Sequence, residues 1–127
     1  MKEQDRKILR VKRLLSHITP EIRTLYANQH LKNAERTSDD RAAVGSSWKE
    51  YWQIFIQEDF PETCPFCGLP MLEDEIDGCH INILGLGLLG RWSEKKYIIP
   101  GHHGCNMQQG EEFDAKITVK AVEAIEK

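Results

Sequence analysis

A chain of 127 residues has room for one domain with at most a helical extension, which excludes two large lobes. With 40% hydrophobic and 29% charged residues, a mean hydropathy of −0.51 and a net charge of −3, it is neither low-complexity nor of disordered composition. The longest apolar run, Ile81 to Gly90, is interrupted by Asn82 and by glycines, and it is about half the roughly 20 residues a membrane helix requires. No membrane span is expected.

The charge is unevenly placed. Residues 1–36 carry nine Lys/Arg against four Asp/Glu, a local balance of +5, while residues 37–127 carry eight against sixteen, a balance of −8. A polyanion such as DNA or RNA is therefore expected at the N-terminal third. The start of the chain is charged at Lys2, Glu3, Asp5, Arg6 and Lys7 and lacks the apolar block of a secretory leader, so a cytoplasmic setting is expected. In that setting thiols stay reduced, and four cysteines point to metal before disulfide.

In chain order, residues 4–17 place Ile8, Val11, Leu15 and Ile18 on one stripe with Arg6, Lys7, Arg10, Lys12 and Arg13 mostly around it, a basic amphipathic helix. Thr19-Pro20-Glu21 then offers an N-cap, a proline at the first helical position and an acid in the first turn, predicting a second helix to about Asn33. The polar stretch Thr37 to Ser46 reads as a connector. Ser47 and Glu50 have capping-box spacing, and Trp48, Trp52, Phe55 and Ile56 recur at helical intervals, predicting a third helix that ends before Pro61.

Beyond Cys64 the pattern changes to β-like pieces at Ile76 to Ile83 and Lys96 to Ile99, joined by Gly85-Leu86-Gly87-Leu88-Leu89-Gly90. The glycines permit sharp turns, and the leucines predict that this loop packs onto something. A short helix is expected after Cys105. A last helix capped by Asp114 is expected to turn Val119, Val122 and Ile125 inward.

Cys64-Pro65-Phe66-Cys67-Gly68 has the sequence of a zinc knuckle, in which two thiolates three positions apart converge on one ion and a glycine closes the turn. His102 and Cys105 form a second pair with the same spacing, completing C-x2-C-x34-H-x2-C. Three sulfurs and an imidazole favour zinc over magnesium or calcium, and four protein ligands leave no open position, so the ion is expected to be structural. Spacing favours His102 as the fourth ligand, with His103 and Cys79 as alternatives.

Residues 64–110 resemble the HNH endonucleases, the treble-clef or ββα-metal group of zinc-stapled nucleases. The resemblance rests on the Cys64/Cys67 knuckle, His80 followed by Ile81, the glycine-rich loop, Tyr97-Ile98-Ile99-Pro100 and the ligand pair ending in Cys105-Asn106. Together with the helices read from the pattern of residues 1–62, it implies an α+β fold in which a helical N-terminal region (residues 1–62) packs on an HNH-like zinc-binding module with a C-terminal helix (residues 63–127), one compact domain in all. It further implies that His80 is the general base of phosphodiester hydrolysis and that Asn106 helps hold a catalytic divalent cation such as Mg²⁺. An imidazole, titrating near neutrality, suits that role.

The chain departs from the family twice. Cys79 stands where a hard ligand usually precedes the base, with Asp77 a substitute only if Gly78 forms a bulge. The central asparagine that orients the base has no counterpart, and Ser93 or Glu94 occupies its approximate place. A catalytically inactive zinc module that binds protein or nucleic acid is therefore carried as the alternative, and a redox-sensitive dithiol as a third reading. In the inactive module His80 is an ordinary histidine bonded to a backbone carbonyl and Asn106 a helix cap.

Overall fold

The computed structural model describes all 127 residues. A six-stranded, wholly antiparallel sheet runs in the order β1 (Ile22–Leu25), β6 (Val119–Glu123), β4 (Tyr97–His102), β3 (Ile76–Ile83), β2 (His30–Asn33) and β5 (Glu112–Asp114). The helices are α1 (Glu3–Ser16), α2 (Trp48–Ile56) and the single turn α3 (His103–Asn106). No helix is long and apolar enough to cross a membrane.

The sheet is curled, and chain connectivity explains why. β1 and β2 lie four positions apart in the sheet, about 19 Å if it were flat, yet only residues 26–29 join them, a reach of about 18 Å at full extension. The edges must bend toward each other. Asn28, at φ 73°, makes the turn there, and its N–H donates to the carbonyl of Ala115 at 2.6 Å. Inside the curl lies an apolar core of Leu25, Leu31, Ile81, Ile83, Tyr97, Ile99, Val119 and Ala121.

The opposite face is covered by α2, whose Tyr51, Trp52, Ile54 and Phe55 pack against Ile98 and Val122. Ser47 caps α2, its hydroxyl accepting from the Glu50 N–H at 3.1 Å. The start of α2 approaches β3 closely enough that a Cβ on Gly78 would lie 2.3 Å from the Trp48 carbonyl carbon. A side chain at position 78 would lift the helix.

Two predicted helices are strands. Residues 19–33 form β1, a turn and β2, because pairing with β6 and β3 outweighs the local N-cap signal of Thr19-Pro20-Glu21. Asp114 ends β5 instead of capping a helix, and Val119 to Glu123 form β6. β6 lies between β1 and β4 and is buried on both faces, so Val119 and Val122 are both inward although three residues apart. Strands from both sides of residue 62 thus share one sheet.

The amphipathic helix α1 forms as predicted, but its stripe faces outward. Leu9 is its buried anchor on α2, whereas Ile8, Val11, Leu14 and Leu15 are 53–75% exposed. Polar bonds help hold it there: Arg13 donates to the Phe55 carbonyl at 3.1 Å, Arg6 to that of Gln57 at 3.5 Å, and Lys12 pairs with Glu50 at 3.2 Å. The two arginines complement the negative C-terminal end of α2, whereas Lys12 meets Glu50 in its first turn. The leucines of the glycine-rich loop also lack the packing predicted for them, with Leu88 79% and Leu89 88% exposed.

Candidate metal centre and adjoining cleft

The knuckle is closed by backbone bonds. Cys64 N–H donates to the Leu69 carbonyl and Gly68 N–H to that of Cys64, both at 2.8 Å, with Gly68 at φ 78° where a side chain would be strained. Phe66, between the two cysteines, stacks on Phe113 at 4.2 Å, and Lys116 N–H donates to the Pro65 carbonyl at 2.9 Å. The knuckle is thereby docked on the C-terminal segment. His102 ends β4 and Cys105 lies one turn on in α3, so both are delivered to the same point.

The ligand atoms of Cys64, Cys67, His102 and Cys105 lie within 4.8 Å of one another. Around a tetrahedral zinc, with Zn–S about 2.3 Å and Zn–N about 2.0–2.1 Å, such atoms are roughly 3.5–3.8 Å apart. His102 Nε2 lies 3.1 Å from the Pro70 carbonyl, leaving Nδ1, 3.2 Å from Cys67 Sγ, as the inward atom. A carbonyl accepting from the outer nitrogen is the usual way a ligating histidine is held.

The clustered thiols differ in acidity. Burial and the neighbouring Cys64 and Cys67 sulfurs raise Cys105 to about 12. Against the cost of burial, the Leu69 N–H and His102 draw Cys67 down to about 7. Three thiolates at one point repel each other unless a positive ion lies among them. The group could hold a metal ion such as zinc.

Neither alternative fourth ligand joins the group. Cys79 is fully buried beside Phe66 and Gly101, and burial, with Asp77 and the other thiols, holds its pKa well above the ordinary value. His103 turns instead to Asp77, Nδ1 to Oδ2 at 2.6 Å. The same Asp77 oxygen accepts from Asn106 Nδ2 at 3.0 Å. Asp77 reaches α3 without a bulge, for the β3–β4 register is unbroken from Ile76–His102 to Ile81–Tyr97.

His80 lies on the other face of β3, toward α2. Together with Asn106, Gly78, Trp48, Asp40 and Arg41 it lines a cleft of about 460 Å³. The imidazole is 4% exposed and packs edge-on to the Trp48 ring at 4.6 Å. Burial lowers its pKa to about 4, Asp40 opposing and Lys96 assisting, so it is neutral at pH 7. It makes no bond to a backbone carbonyl through Nε2, which is sealed without a partner.

Two contributors escaped the sequence reading. Asp40, in the connector, faces His80 Nε2 from 3.9 Å, and nothing in the polar run Thr37 to Ser46 marks it out. Asn33, buried at the end of β2, donates to the Cys105 and Asn106 carbonyls at 3.0 and 3.3 Å and so ties α3 to the sheet. Ser93 clamps its own loop, accepting from the Ile83 N–H and donating to the Lys95 carbonyl.

No protein-family model, no curated protein and no solved structure matches this chain.

Proposed function

We propose that the protein is a metal-dependent nuclease of HNH type, its treble-clef module stapled by zinc on Cys64, Cys67, His102 and Cys105, with His80 as general base. The observation that carries this reading is the double position of Asn106. It lines the cleft over His80 and at the same time bonds the carboxylate of Asp77, one residue beyond a zinc ligand.

Asp77, His103 and Asn106 are the residues that would hold the catalytic cation, since a carboxylate, an imidazole and an amide oxygen suit Mg²⁺, Mn²⁺ or Ni²⁺. Bound there, the ion would supply charge neutralisation at a phosphate and its leaving oxygen. The chain does the rest. His80, neutral at working pH, offers a lone pair to the attacking water, and Trp48 excludes bulk solvent from the ring.

DNA or RNA is the proposed partner, and Arg41 is a phosphate contact at the cleft. Helix α1 contributes less free charge than its sequence promises, because Arg6, Arg13 and Lys12 are engaged by α2 and Arg10 pairs with Glu3 at 3.6 Å.

The test is incubation of zinc-loaded protein with plasmid DNA and with single-stranded RNA under Mg²⁺, Mn²⁺ or Ni²⁺, beside His80→Ala and Asn106→Ala. Cleavage that falls by about 10²–10⁴-fold in His80→Ala supports the proposal. No cleavage, or equal cleavage by all three proteins, ends it. The deep burial of His80 favours the second reading, an inactive binding module, which predicts salt-sensitive nucleic-acid or protein binding without turnover.

A further inference from the structure

The only buried side-chain polar atoms without a hydrogen-bond partner are Asp40 Oδ2 and His80 Nε2, and they face each other across 3.9 Å. Chance does not readily produce this. An unpaired buried polar group is costly, so two that face each other call for a functional explanation.

Lys96 Nζ lies 3.9 Å from the same Asp40 oxygen, so a metal cation entering the gap would meet a positive charge. Asp40 is held for the purpose: its N–H donates to the Thr37 carbonyl at 3.1 Å and its carbonyl accepts from Trp48 Nε1 at 3.2 Å. Trp48 in turn packs on His80. Carboxylate and indole, from one segment of the chain, are thus placed against the imidazole of β3.

We propose that Asp40 is the positioning residue of His80: its carboxylate, facing Nε2 from 3.9 Å, favours the proton on that nitrogen and so leaves the Nδ1 lone pair for the substrate side. The proposal rests on the reading of His80 as general base. In the reaction, Nδ1 takes a proton from water, the resulting hydroxide forms the new P–O bond, and the leaving oxygen departs with the electron pair of the broken one and is protonated by solvent. The imidazolium keeps its Nε2–H directed at Asp40, whose charge stabilises it, and returns the extra proton to solvent. Ser93 is occupied within its own loop, accepting from the Ile83 N–H and donating to the Lys95 carbonyl, and makes no bond to His80.

Histidine-ring ¹⁵N spectra of the full, zinc-loaded chain report the tautomer directly. Wild type is expected to show His80 as Nε2–H. The isosteric Asp40→Asn, whose amide can donate as well as accept, is expected to populate both tautomers, with Asp40→Glu restoring the wild-type pattern. In the cleavage assay Asp40→Asn is expected to lower kcat at least roughly tenfold with KM unchanged. A wild-type tautomer pattern in Asp40→Asn overturns the proposal whether or not the protein cleaves. If His80→Ala cleaves at the wild-type rate, the general-base reading falls instead, and the spectra still decide whether Asp40 sets the tautomer.

Discussion

Cys67 and His102, 35 residues apart, meet with Sγ 3.2 Å from Nδ1, and the outer nitrogen of the same ring lies 3.1 Å from the Pro70 carbonyl. The imidazole is held from both sides, one side by the loop that carries the thiol. A knuckle, the end of β4 and α3 converge there, and the apolar interior of the curl continues from it through Phe66 and Phe113.

Cys79 is a packing residue, so its loss and the loss of a ligand are expected to differ in kind. Cys79→Ala is predicted to keep the metal while losing roughly 1–2 kcal/mol of stability from the cavity. Cys64→Ala is predicted to lose metal binding. Metal content and urea denaturation of the two variants, run in parallel, check this.

The close approach of α2 to β3 makes Gly78 sensitive. Gly78→Ala places a methyl 2.3 Å from the Trp48 backbone and is predicted to destabilise by about 1–3 kcal/mol. Gly104→Ala, which meets nothing within 4 Å, is predicted to stay within about 0.5 kcal/mol of wild type. Chemical denaturation midpoints read both.

Helix α1 gives a third test, because its packing is the reverse of what its stripe suggests. Leu9→Ala is predicted to cost about 2–3 kcal/mol, and Leu15→Ser, at an exposed position on the stripe, no more than about 0.5 kcal/mol. A large loss in Leu15→Ser would show that the stripe is buried in solution.

His30 lies on the surface between Asp114, 2.7 Å from Nδ1, and Glu112, 2.8 Å from Nε2, and these acids raise its pKa above the ordinary 6.5. The folded value exceeds the unfolded one, so the contribution is fully present below about pH 6.5 and is lost as pH rises through the raised folded value. The stability difference between wild type and His30→Gln is therefore expected to shrink on passing from pH 6 to pH 9. An NMR titration of the His30 ring gives the folded value independently.

Sequence was informative where chemistry or capping dictated structure. Ser47 and Glu50 marked the start of α2, and the two C/H pairs marked residues that the fold brings together although 34 residues separate Cys67 from His102. It misled where burial on two faces imitates a helix, as in β6, and where sheet pairing overrode an apparent N-cap, as at Thr19-Pro20-Glu21. The curl was not legible, because it follows from which strands neighbour one another. Asp40 was hidden for a related reason: an acid in a polar connector looks solvated until the fold sets it against a buried imidazole. The outward stripe of α1 was equally invisible, since periodicity shows that a face is apolar and not what covers it.

Elemental analysis of the purified full chain, with thiol counting before and after chelation, tests most directly whether Cys64, Cys67, His102 and Cys105 hold an ion. One zinc per chain, lost in Cys105→Ala and accompanied on chelation by a fall in melting temperature, is the predicted result. A metal-free protein that melts at the same temperature with and without chelator, its three clustered thiols reacting freely, would contradict the account.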